Sequence, residues 1–129
     1  MPALQRVVVT MLCFLPTVLW ALGVGGIEVS SGLNQAFDAK IPIVGAKQGE
    51  LADVSARLAE REVFDRAGLA RSYFLTALKF QVVSTGDSSG YIHIISRDGI
   101  REPALEFIVE VQSRSGSLRR KYSVLLELR

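Results

Sequence analysis

One histidine, one cysteine and a tight basic cluster are the residues of this chain best placed to do chemistry. His93 lies between Ile92 and Ile94 in an alternating apolar run. A metal centre there needs two or three further nitrogen, sulfur or oxygen ligands converging on it. No spacing in the chain signals them, so His93 reads as a structural residue on a strand. Cys13 sits inside an N-terminal apolar run and follows Leu12, which is not the setting of a lipid-acylated cysteine. No Gly-x-Ser-x-Gly elbow surrounds any serine. The serine clusters between Asp87 and Gly90 and between Ser113 and Ser117 read as turns. Carboxylates stand singly along the predicted strand faces, which leaves no pair for general acid–base work. These residues point away from an enzyme and imply no metal and no cofactor.

The basic cluster is Arg119, Arg120 and Lys121, with Arg114 across a short turn. As a binding rim, these four cations suit an anionic envelope surface or an acidic partner. As plain surface chemistry, they make a charged strand edge that discourages sheet-to-sheet pairing. Glu106 and Glu110 are placed to face Arg119 or Lys121 across the turn, at about 0.2–1 kcal/mol per pair. Arg101 and Glu102, ahead of Pro103, read either as loop ties or as ordinary solvated charges.

The elements that carry these residues follow from apolar periodicity. Leu105, Phe107, Val109 and Val111 alternate with Glu106, Ile108 and Glu110, and Tyr122, Val124, Leu126 and Leu128 alternate with Ser123, Leu125 and Glu127. Two such runs around Ser113–Ser117 predict a β-hairpin with one face in a core. Upstream, Ile27 and Val29 mark a short strand, and Phe37, Ala39, Ile41 and Ile43 a second. Pro42 donates no ladder hydrogen bond, which places that second strand at an edge or ends it there. Residues 51–58 fit both a helix (Leu51, Val54, Leu58) and a strand (Val54, Ala56, Leu58). The preferred reading is a strand to Leu58 and then a helix from Glu60 to Ala67. Acidic residues in its first turn and Arg66 in its last suit the helix dipole, and Gly68 follows as a C-terminal cap. Leu78, Phe80 and Val82 form another strand. Tyr91 to Ile95, apolar on both faces, reads as a central one. This pattern without βαβ alternation predicts an all-β, immunoglobulin-like antiparallel β-sandwich of about seven strands with one short helix.

The first 21 residues have a different character. Arg6 supplies a positive start, Val7 to Leu19 an apolar run, and Ala21 a small residue at a cleavage point, the layout of a secretory signal peptide. The apolar run falls short of the roughly 20 residues a spanning helix needs. Residues 1–21 are thus expected to be removed and residues 22–129 to form one domain. Inner-membrane association is expected only if the signal stays uncleaved or the chain is part of a longer protein. Arg6 is the one charge lost with that segment, so the formal net charge falls from +2 to +1. A near-neutral domain is a poor electrostatic partner for nucleic acid. A domain of this size buries roughly 65% of its unfolded surface, which permits folding without disulfides. Leu22 to Gly26 reads as a glycine-rich linker.

Several blocks resemble the N-terminal domain of FimV/HubP-type motility proteins. They are Ala21–Gly25 running into Ile27–Val29, Leu33–Ile41, Tyr73–Phe80, Arg101–Val111 and Leu118–Leu126, in family order along the chain. The resemblance implies a periplasmic scaffold domain that supports type IV pilus assembly, twitching motility or polar organisation, with pilus-assembly or other envelope proteins as partners. The alternative is a module that binds an anionic cell-envelope polymer such as peptidoglycan through Arg114, Arg119, Arg120 and Lys121. The LysM module, membrane span and acidic cytoplasmic part of such proteins are not among these residues, so nothing is carried over from them. Ala36 stands where the family usually has proline, which predicts a looser turn before the second strand. Ala59 stands where a helix-capping serine is common, which predicts a helix start weaker by up to about 1 kcal/mol.

Overall fold

Alternation of apolar and polar residues divides the chain into two antiparallel sheets that share their buried faces. The computed structural model describes residues 22–114 and 116–128; the expected signal peptide lies outside the described residues. In chain order the elements are β1 (Gly23–Val24), β2 (Glu28–Val29), β3 (Ala36–Val44), β4 (Ser55–Leu58), α1 (Arg61–Ala67), β5 (Lys79–Ser84), β6 (Gly90–Gly99), β7 (Ala104–Ser113) and β8 (Gly116–Leu125). Short 3-10 turns at Glu50–Asp53 and Tyr73–Ala77 lead into β4 and β5. One sheet runs β1–β3–β6–β5, with β2 also against β3; the other runs β4–β7–β8. The core between them is built from Phe37, Ala39 and Ile41 of β3, Ile92 and Ile94 of β6, Leu105, Phe107, Val109 and Val111 of β7, and Tyr122 and Val124 of β8. The all-β sandwich expected from periodicity is the observed fold.

β6 occupies the middle of its sheet, between β3 and β5. Its two apolar faces explain why. Ile92 and Ile94 enter the core, while Tyr91, His93 and Ile95 are half-buried on the outer face. The helix also follows expectation, with Phe64 buried. Gly68 adopts φ 71° and returns its N–H to the Asp65 carbonyl at 3.1 Å, closing the last turn.

Three local expectations need correction. The Leu22–Gly26 linker is partly a strand, because Gly23 and Val24 pair with Val44 and Ile43. Gly25 permits this approach, since a Cβ there would fall 2.7 Å from the Pro42 ring. Pro42, in turn, neither ends β3 nor lies at the sheet's margin, because β6 pairs along one side of the strand and β1 and β2 along the other. The Pro42 carbonyl accepts the Gly25 N–H at 2.8 Å. The nitrogen and carbonyl of one residue point the same way in an antiparallel strand, so the donorless nitrogen faces the break between β1 and β2. Finally, Ala59 is not the helix cap. That position is Glu60. Ala59 is fully buried and prolongs β4 by donating its N–H to the Ile108 carbonyl at 2.9 Å.

A register shift separates the pairs Ala36↔Gly99 and Asp38↔Ile95. This bulge deprives the Phe37 N–H of a ladder carbonyl, and the buried Ser96 hydroxyl replaces it. Ser96 Oγ accepts from Phe37 N at 2.7 Å and donates to the Asp98 carbonyl at 2.7 Å. Ser96→Ala leaves a buried N–H unpaired and is expected to cost about 1–3 kcal/mol, measured by urea unfolding of the two proteins. Among the described residues no helix is long and apolar enough to cross a membrane.

Candidate interaction surface

The closing hairpin places the basic cluster on the free side of the three-stranded sheet. Ser113 pairs with Gly116, and the register runs unbroken to Ala104↔Leu125. Strand alternation then sorts the cations by face. Arg119 and Lys121 lie on the outer face with Ser117 and Ser123. Arg120 lies on the inner side between Leu118 and the buried Tyr122. Consecutive residues on a strand cannot share a face, so the four sequence-identified cations meet different surroundings.

Arg119 is the outermost member of a charge row that crosses the sheet. Its Nη2 is 3.4 Å from Glu110 Oε1, while Arg57 of β4 holds Glu110 Oε2 through Nη2 at 2.8 Å and Nε at 2.9 Å. The row follows the pairing, Arg57 opposite Glu110 and Glu110 opposite Arg119. Glu110 is buried, whereas the two arginine side chains are about half exposed. The expected cross-hairpin pairing thus exists for Glu110 and Arg119. Glu106 instead faces Ser123, whose hydroxyl donates to it at 3.4 Å.

Arg120 closes the open side of the sandwich. Its Nη1 donates to the Val24 carbonyl at 2.7 Å, and its guanidinium lies 5.1 Å from the centroid of the Tyr122 ring. The Tyr122 hydroxyl donates to the Gly25 carbonyl at 2.9 Å. Burial raises the Tyr122 phenol above its ordinary pKa and Arg120 partly opposes that shift, so the hydroxyl keeps the proton it donates. Arg114, at the hairpin tip, pairs with Asp53. With Lys47, Gln48 and Glu50 it lines a shallow depression of about 250 Å³. Lys121, opposite Ile108, is exposed. Sequence reasoning missed Arg57, because 53 residues separate it from Glu110 and only the fold brings them together.

The other chemistry-bearing residue lies on the opposite sheet. His93 Nε2 is 2.8 Å from Asp38 Oδ1. A carboxylate is an acceptor only, so that nitrogen carries the proton. Tyr91 meets the imidazole edge-on at 6.3 Å, and Lys40 Nζ lies 5.0 Å from the centre of the Tyr91 ring. Asp38 and Tyr91 hold the ring in place. Among the described residues no group of three histidine, cysteine or carboxylate side chains is arranged to hold a metal ion. Another depression, of about 640 Å³, is open and lined by Asn34, Asp98, Gly99 and Arg101 at the bulged end of β3 and β6.

The two sheets, their strand order and the one α-helix among the described residues define an immunoglobulin-like sandwich domain. Residues 22–129 match the family described as FimV N-terminal domain, Ig-like domain, and the chain belongs to that family. It is not a known enzyme family. Among curated proteins the chain is similar to the "Motility hub protein FimV" of Pseudomonas aeruginosa strains PAO1 and UCBPP-PA14. Each is 39% identical over 106 residues, which is 82% of this chain and 12% of the relative. The chain therefore spans about an eighth of the length of these relatives. No solved structure matches the chain at a significant level.

Proposed function

We propose that residues 22–129 are a periplasmic, non-enzymatic protein-interaction domain that supports type IV pilus assembly, twitching motility or polar organisation. It does so by docking on pilus-assembly or other envelope proteins. The observation that carries this reading is the 39% identity to a motility hub protein across 82% of the chain. The N-terminal segment with the layout of a cleavable signal supports export. Deleting the codons for residues 22–129 from the host gene tests the reading: surface piliation and twitching-zone diameter are expected to fall sharply. Unchanged piliation and twitching would reject it.

A second reading has its own observation. The ten residues of β8 hold Arg119, Arg120 and Lys121 and no carboxylate, which suits an anionic cell-envelope polymer. Retention of the purified domain on cell-wall sacculi at low salt, weakened by substituting Arg119 and Arg120, is the expected result. No retention, or retention indifferent to those substitutions, eliminates the polymer.

A further inference from the structure

We infer that the free edge of β8 is a docking edge for an extended acidic peptide segment, which adds as a fourth strand to the β4–β7–β8 sheet. The inference rests on the protein-interaction reading above and names the partner's chemistry. β8 is ten residues long and, among the described residues, pairs only with β7. Among the described residues, no backbone hydrogen bond outside that hairpin reaches the Gly116–Leu125 main chain. A row of unpaired main-chain donors and acceptors is the template for strand addition.

Hairpin geometry identifies which groups are free. Across a two-residue loop the flanking residues, here Ser113 and Gly116, exchange hydrogen bonds, and bonded and non-bonded pairs then alternate. Leu118, Arg120 and Tyr122 therefore turn their N–H and C=O groups toward β7. Ser117, Arg119, Lys121 and Ser123 turn theirs outward, and their side chains all lie on the outer face. The free backbone groups and the outer cations thus belong to the same residues. An added strand places a side chain directly opposite Arg119 and another opposite Lys121, two positions apart. Acidic residues at i and i+2 fit those places. The inner-facing Arg120 and Tyr122 are bonded instead to Val24 and Gly25, which leaves the outward main chain free.

Charge also selects against the commonest wrong partner. A second copy of β8 would set Arg119 and Lys121 against the same cations, and like charges directly opposite oppose pairing. The edge resists self-association and favours an acidic strand.

The probe is a ten-residue synthetic peptide of alternating glutamate and valine, added in millimolar excess to the purified exported chain. Amide hydrogen exchange is read residue by residue. The N–H groups of Ser117, Arg119, Lys121 and Ser123 are expected to gain protection, while those of Leu118, Arg120 and Tyr122 stay as they were. Lys121→Glu, an exposed position, is expected to weaken the peptide roughly threefold. A peptide of the same charge, N-methylated at alternate residues on its edge-facing side, is expected to bind roughly tenfold more weakly. Protection absent at the four outward amides, or equal binding of the N-methylated peptide, overturns the docking edge. So does indifference to Lys121→Glu in a chain whose core amides remain protected. The domain-deletion experiment separates the two readings. Loss of twitching on deletion, with no protection of β8, removes the edge and leaves the interaction domain. Protection of β8 with normal twitching on deletion removes the motility role and leaves the edge.

Discussion

Phe107→Ala is expected to lower the melting temperature by roughly 12–40 °C. Phe107 is fully buried on β7, with its ring centroid 6.1 Å from that of Tyr122. Truncating such a phenylalanine costs about 3–5 kcal/mol, because the lost transfer energy is joined by a cavity that the neighbours cannot fill. Each kcal/mol moves the midpoint of a domain near 100 residues by about 4–8 °C. Thermal unfolding followed by circular dichroism measures the shift. A drop below about 5 °C would show that the two sheets collapse onto the vacated space, which a tightly interlocked sandwich core does not allow. Phe107→Leu, which keeps most of the volume, is expected to lose about half as much or less.

The second large effect concerns Glu110. Removing both of its cations through Arg57→Ala and Arg119→Ala strands a carboxylate that is almost wholly inaccessible to water. A buried charge without a counter-charge costs about 3–5 kcal/mol. The two arginine side chains are about half exposed, so losing the carboxylate instead leaves them solvated. In a Glu110→Leu background the same arginine substitutions are expected to cost under about 1 kcal/mol. Urea unfolding of the four proteins gives the coupling directly. Equal costs in both backgrounds would mean that the arginine stems, and not their charges, stabilise the sheet.

Much of this was legible in the chain itself, for reasons that differ by element. Leu105, Phe107, Val109 and Val111 of β7 and Tyr122 and Val124 of β8 recur at every second position, enough for a period of two to show, and the doubly apolar run at Tyr91–Ile95 fixed the central strand. The helix was legible from its charges and from Gly68. β1 was not legible, because two residues have no period and glycines disguise a strand held in place by its neighbour. Ser96 and Ala59 carry no local signal either. One repairs a bulge and the other fits under β7, and both needs arise only from tertiary pairing. The basic cluster was legible as a cluster but not as a surface. Its three consecutive cations alternate faces, so one pairs with Glu110, one seals the sandwich and one remains exposed.

The bonds from Arg120 to Val24 and from Tyr122 to Gly25 join positions 96 and 97 residues apart. They set a clock on folding. A chain that emerges N-terminus first, whether from a ribosome or across a membrane, holds β1 and β3 in place without their closing strand until β8 has followed. Pairings of such high sequence separation fold slowly, in milliseconds to seconds. During that interval β7 presents an apolar strand with no neighbour on one side, the state most open to mispairing. Within the domain, β8 follows the other strands and is the one that bonds Val24 and Gly25 into the sandwich, so the domain passes from vulnerable to protected in a single late step.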